Sequence, residues 1–162
     1  MLSFISFDKN VCTNLSLAAE KEWLETNGIG GYASSTITGA NTRRYHGLLM
    51  AATKPPLGRI LMLSKLEESL SVGEDVFPLS TNFYPNTIYP EGYRNLVQFD
   101  LTPVPTFTYI IRGISIEKSV FMVYGENTTV IRYRVSTAGP VAAPLFLKAR
   151  VLVAFRADHW LT

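Results

Sequence analysis

Phe107-Thr108-Tyr109-Ile110-Ile111-Arg112-Gly113-Ile114-Ser115-Ile116-Glu117-Lys118-Ser119-Val120-Phe121-Met122-Val123 decides the fold class of this chain. Two runs rich in β-branched and aromatic residues flank Arg112-Gly113, and glycine there supplies the positive backbone angle that a tight hairpin needs. Just beyond, Ile131, Tyr133 and Val135 alternate with Arg132 and Arg134. That period of two is expected of a strand with one face buried and the other wet. Leu145, Leu147, Ala149, Val151 and Val153 carry the pattern on to Phe155. Upstream, strands fit Tyr45 to Ala52 and Gly58 to Leu66, separated by Lys54-Pro55-Pro56, which no strand interior would hold. Helix signals are sparse. Leu17 to Leu24 reads as a short helix because Ala18, Ala19, Glu20, Lys21 and Glu22 are good helix formers. The stretch Leu79 to Asn95, rich in Pro, Asn and Tyr, reads as a long loop. Many short strands joined by turns predict an all-β, antiparallel β-sandwich with little helix.

Composition narrows the class further. With 162 residues, 47% of them hydrophobic and 17% charged, the chain is long enough for one ordinary core. A net charge of +2 from 15 basic and 13 acidic residues leaves no basic stripe, because Arg43-Arg44 is the only adjacent basic pair. Nucleic acid is therefore not an expected partner. Residues Met1 to Lys9 do not read as a secretory signal, and no run is long and apolar enough to predict a membrane span. The expected location is the cytoplasm. The single cysteine, Cys12, reads as a small buried hydrophobe.

Chemistry concentrates in Asn27 to Ala52, where Gly28, Gly30, Gly31, Gly39 and Gly47 stand among hydroxyls, Arg43, Arg44, Tyr32, Tyr45 and His46. Glycines at such spacing suit a binding surface more than a core. Gly28-Ile29-Gly30-Gly31-Tyr32-Ala33 fits the dinucleotide-binding fingerprint in form only. A helix must leave those glycines to cradle a pyrophosphate. Here Ser34-Ser35-Thr36-Ile37-Thr38 follows, and no acidic residue lies between Tyr32 and Leu66 to meet a ribose.

Asn27 to Ala52, with Glu22-Trp23-Leu24 before it and Leu63-Ser64-Lys65-Leu66-Glu67-Glu68 after it, resembles the opening of the bacterial and archaeal type of glycogen debranching enzyme, the amylo-α-1,6-glucosidase family. Pro90-Glu91-Gly92-Tyr93-Arg94-Asn95-Leu96, Phe99 and Pro103-Val104-Pro105-Thr106-Phe107-Thr108-Tyr109 resemble a second block in the same order. Ala154-Phe155-Arg156-Ala157-Asp158-His159 is similar to a third, with Ala157 inserted between arginine and aspartate. Tyr89 stands where the family often has histidine. The resemblance implies an amino-terminal β-sandwich, part of a supersandwich, that packs on a helical (α/α)6 barrel carrying the catalytic carboxylates. It further implies a glycogen-like α-glucan substrate and hydrolysis of α-1,6 branch linkages. Residues 1–162 then form one sandwich domain cut at its carboxy end after Trp160-Leu161-Thr162, with an unpaired edge and an apolar face needing the barrel, in cis or in trans.

No catalytic residue is expected within these residues. Glycoside hydrolysis needs two carboxyl groups across the scissile bond. Glu67-Glu68 and Glu74-Asp75 are sequence neighbours, which on a strand point to opposite faces. No metal site is expected, since His46 and His159 lie far apart and no paired ligand spacing exists. Nor is a cofactor expected. Binding is left. A neutral glucan, with apolar ring faces and a rim of hydroxyls, calls for aromatic platforms beside planar polar groups. Asn27, Tyr32, Arg43, Arg44, Tyr45 and His46 are the expected substrate-binding set. Arg43 and Arg44, on alternating faces of a strand, would put one fork toward a barrel carboxylate or sugar hydroxyls and the other into the sheet. Two other classes fit the same residues: a free-standing carbohydrate-binding module, and a split-gene piece that needs a partner chain.

Overall fold

Alternating burial builds two antiparallel sheets in the computed structural model, which describes residues 4–55 and 58–157. In chain order the elements are β1 (Ser6–Phe7), α1 (Lys9–Cys12), α2 (Leu15–Ala19), β2 (Glu22–Thr26), β3 (Tyr32–Thr36), β4 (Gly47–Lys54), β5 (Gly58–Val72), β6 (Asp75–Pro78), β7 (Thr81–Tyr84) and β8 (Thr87–Glu91). A 3-10 turn (Gly92–Asn95) follows, then β9 (Leu96–Asp100), β10 (Thr106–Ile111), β11 (Ile114–Met122), β12 (Thr129–Thr137) and β13 (Leu145–Ala157). One sheet has five strands in the order β1-β9-β10-β11-β12. The other has six, in the order β13-β5-β4-β3-β2, with β6 also paired to β5. Strands β7 and β8 pair only with each other. With 59% strand, 9% helix and no closed barrel, the described residues form the all-β sandwich that the alternation predicts.

The core lies between the sheets. Phe107 is its centre, with Phe99 at 5.0 Å and Trp23 at 6.0 Å between ring centroids, both edge-on. Ile116 and Val120 from the first sheet meet Leu48 and Leu70 from the second. The Trp23 indole N–H donates to the Thr36 carbonyl at 3.3 Å, so the ring is buried without a stranded donor. Arg112 and Gly113 both have positive φ, and Ile111 pairs with Ile114 directly across the two-residue turn. That geometry matches the right-handed twist of the flanking strands.

Three expectations need correcting. The helix is α2, which stops at Ala19, and Glu22-Trp23-Leu24 belong to β2. Asn14 caps α2 by accepting from the Leu17 N–H, and burial of Trp23 in an alternating strand overrides the helix propensity of its neighbours. A second short helix, α1, is capped by Asp8. The stretch Leu79 to Asn95 holds a hairpin and a 3-10 turn, with Asn86 supplying a positive φ between β7 and β8. The strand expected from Tyr45 begins at Gly47, leaving Arg43, Arg44 and Tyr45 in a turn.

Strand β13 carries Leu145 and Leu147 against the core, but Val151, Val153 and Phe155 further along are 58%, 77% and 82% exposed. Asp158, His159 and Trp160 lie outside the described residues. The Cys12 thiol is fully buried, and burial pushes it up to about 11, as a packed rather than reactive thiol requires.

Candidate functional site

An open groove lies on the outer face of the six-stranded sheet, where β2, β3 and the turn before β4 meet. Glu22, Leu24 and Thr26 line it because they occupy the face of β2 opposite buried Trp23. Tyr32, Arg43, Tyr45, His46 and Arg59 complete its chemistry. The guanidinium of Arg59 stands 6.0 Å from the Tyr32 ring centroid, and its Nε donates to the Gly30 carbonyl at 2.6 Å. The guanidinium of Arg44 stands 5.1 Å from the Tyr45 ring. Each tyrosine is thus backed by a cation, which restricts how the ring can turn.

Glu22 is the groove's carboxylate. Arg43 Nε lies 2.6 Å from its Oε1, and His46 Nε2 lies 3.4 Å from the same oxygen. The His46 ring is almost fully buried, and its Nδ1 accepts from the backbone N–H groups of Thr42 and Arg43 at 3.1 and 3.4 Å. An acceptor at Nδ1 requires the neutral ring with its proton on Nε2. Burial likewise holds the imidazole below its ordinary value, with Glu22 pulling the other way. The 3.4 Å approach to Glu22 lacks the geometry of a made hydrogen bond, and Nε2 is a buried atom with no such partner among the described residues. His46 therefore fixes the Thr42–His46 turn beside the carboxylate.

Of the six expected binding residues, the groove brings together Tyr32, Arg43, Tyr45 and His46. Arg44 lies at its margin, beside Tyr45, and its carbonyl accepts from Arg156. Because these residues occupy a turn, the alternating-face assignment of Arg43 and Arg44 does not hold; Arg43 reaches Glu22 instead. Asn27 faces inward and is fully buried. Its Oδ1 accepts from the Ile29 and Gly31 N–H groups at 3.1 and 2.8 Å, and its Nδ2 donates to the Glu126 carbonyl and to Asn127 Oδ1. Asn127 in turn exchanges two hydrogen bonds with the Ala52 backbone, both 2.8 Å. Asn27 thus ties the glycine loop to the turn between β11 and β12. Gly28, with φ +79°, follows it where a Cβ would strike the Tyr124 ring. Sequence reasoning missed Glu22 and Arg59 as groove residues. The outward alternation of Glu22 with Trp23 was a signal for the first; Arg59 reaches the groove only through the pairing of β4 with β5.

Strand β5 sends Glu67 and Glu68 to opposite faces, as neighbours on a strand must go. Glu67 points outward to Arg150, 3.4 Å away, and accepts from Asn82 at 2.9 Å. Glu68 points between the sheets, where Lys118 lies 2.7 Å from Oε1 and Tyr133 and Ser80 donate their hydroxyls. Nearby, the ammonium of Lys65 donates to the Gly39 carbonyl at 3.0 Å, the Thr81 carbonyl at 2.8 Å and Asn82 Oδ1. Burial, with the charge of Lys118, brings Lys65 down to about 8. Among the described residues no group of three or more His, Cys, Asp or Glu is arranged to hold a metal. No helix among them is long and apolar enough to cross a membrane.

Two antiparallel sheets with a polar groove on an outer sheet face define a β-sandwich domain. The chain belongs to the family described as glycogen debranching enzyme N terminal, which residues 21–162 match. No curated protein and no solved structure matches it.

Proposed function

We propose that residues 1–162 work as the amino-terminal sandwich of a cytoplasmic glycogen debranching enzyme, contacting an α-glucan and docking a catalytic helical barrel during hydrolysis of α-1,6 branch linkages. The observation that carries this reading is the outer groove, where Tyr32 and Tyr45 present cation-backed rings beside the Arg43–Glu22–His46 cluster. Ring faces beside planar hydrogen-bonding groups are what a neutral sugar needs.

The carboxylates in and near the groove are each held by a partner or turned away from it. Among the described residues, Glu22 is the only carboxylate that lines the groove. Glu25 is raised by burial but stands on the opposite face of β2. Glu68 is sealed against Lys118, and Glu67 is held by Arg150 and Asn82. A facing acid and nucleophile or base, as glycoside hydrolysis requires, is not assembled from these groups. Docking is supported by the exposed apolar row Val151, Val153 and Phe155 on β13, a surface that favours contact with another domain.

The test replaces Tyr32, Arg43 and Arg44 separately by alanine in a debranching enzyme built on this domain. The expected result is a KM for branched glucan raised about tenfold for Tyr32→Ala and Arg43→Ala, on the scale of one lost stacking or charged contact. Unchanged kcat and KM in all three variants would overturn the reading.

A further inference from the structure

A second groove lies on the outer face of the same sheet, at its β5–β13 end, roofed by the β7–β8 hairpin. It shares no lining residue with the first groove. Arg59 borders one and Glu67 the other, eight residues apart on β5 (67 − 59 = 8), which at strand rise is roughly 25 Å. The hairpin supplies two tyrosines. Tyr84 and Tyr89 line the groove and are 52% and 73% exposed; Phe83 and Ile88 line a neighbouring depression that Tyr84 also borders.

The platform is braced from below. Lys65 donates to the Thr81 carbonyl and to Asn82, the Tyr93 N–H donates to Thr81 Oγ1 at 2.9 Å, and Asn95 donates to the Pro78 carbonyl at 2.9 Å. Gly92 packs so closely on the Leu79–Ser80 backbone that a Cβ would overlap it. Two large rings held out from a braced hairpin lose little freedom when a ligand covers them.

The polar lining says which ligand. Glu67 and Glu91 face Arg94, Lys148 and Arg150; Glu68 also borders the groove but turns its carboxylate between the sheets. Both outward carboxylates are paired, with Arg94 3.0 Å from Glu91 and Arg150 3.4 Å from Glu67, and Lys148 adds a further positive charge to the lining. An anionic ligand would meet the carboxylates and a cationic one the guanidinium groups, so either meets like charge in the lining. A neutral polyol is served by both signs, since carboxylates accept from its hydroxyls and guanidinium groups donate to them.

We propose that this groove, built on Tyr84, Tyr89, Glu67 and Arg150, is a second contact site for a neutral α-glucan chain. The inference rests on the glucan-contacting function proposed above and extends it to a separate surface. Two grooves on one rigid sheet let a long or branched glucan engage both, so polymer binds more tightly than a short oligosaccharide by an effective-concentration gain.

The test is affinity electrophoresis of the 162-residue chain in native gels with and without embedded glycogen, with soluble maltoheptaose as competitor. Wild-type protein is expected to be retarded by glycogen. Tyr89→Ala and Tyr84→Ala should each weaken retardation about tenfold, and Tyr89→Trp should retain it, with urea midpoints unchanged. Tyr45→Ala reports on the first groove. Normal retardation of both hairpin variants beside weakened retardation of Tyr45→Ala overturns the second site and leaves the proposed function standing. Wild-type protein that glycogen does not retard overturns both. Should Tyr89→Ala unfold, Tyr89→Ser and Tyr84→Phe/Tyr89→Leu decide the matter, because loss of binding without loss of the urea midpoint is required.

Discussion

Two carboxylates, Glu22 and Glu68, have similar partners and opposite surroundings. Each faces a cation, Arg43 at 2.6 Å or Lys118 at 2.7 Å, and each has a second polar neighbour, His46 or Tyr133. The Glu68 pair sits between the sheets, with side-chain exposures of 3% and 10%, whereas Glu22 and Arg43 are 31% and 68% exposed. Water decides what each cluster does. Between the sheets, desolvation makes an unpaired charge very costly, so the cluster fixes how the layers stack. On the outer face, solvent screens the pair to little net stability and leaves its hydrogen-bonding capacity open to a ligand.

The sharpest way to break this comparison is to remove one buried partner. Glu68→Ala leaves Lys118 uncompensated, and urea unfolding should show a loss of about 3–5 kcal/mol. A loss under about 1 kcal/mol would mean that solvent already reaches the pair. Next in size is Asn27→Ala, which removes four hydrogen bonds at a buried site joining two distant loops. Denaturant midpoints should report about 2–3 kcal/mol, and wild-type stability would show that Asn27 is not a brace.

A third effect concerns Lys65 and pH. Its folded value of about 8 lies below the 10.5 of an exposed lysine, so between pH 8 and 10.5 the unfolded chain binds a proton that the folded chain has released. Stability should therefore rise with pH from about 8, by about 2 kcal/mol at pH 10 relative to Lys65→Met. Cys12 from about pH 9, and Tyr109 and Tyr133 above pH 10, act in the opposite sense, because burial holds the thiol and both phenols neutral in the fold. Chemical denaturation at pH 7, 8, 9 and 10 checks this, and parallel curves for wild type and Lys65→Met would refute it. The smallest effect belongs to the outer groove. Arg43→Ala should change stability by less than about 1 kcal/mol in thermal melts. A larger loss would show that the groove cluster braces the fold as the inner one does.

The sandwich was legible because alternation is a property of each strand alone. Phe107, Tyr109 and Ile111 are buried as the pattern requires, and Arg112-Gly113 turns where glycine permits it. Four of the six expected binding residues share a groove because they come from one short stretch, Tyr32 to His46, joined by a single β3–β4 connection. The β7–β8 hairpin was missed because its strands are only four and five residues long and Pro90 interrupts the reading. The bracing contacts of Asn27 were not legible because its partners, Glu126 and Asn127, lie about a hundred residues away.

The sequence by itself determined the strand-rich class, the family and the segment that carries the groove, since periodicity, turn residues and ordered motifs are local. Only the tertiary structure decided that Glu68 and Lys65 are interior groups, that Asn27 is a brace, and that Glu22 and Arg59 complete the groove. Those outcomes depend on which side of a strand the opposite sheet covers. Glu68 and Lys118 are fifty residues apart, and nothing local to either tells the chain that water will be excluded where they meet.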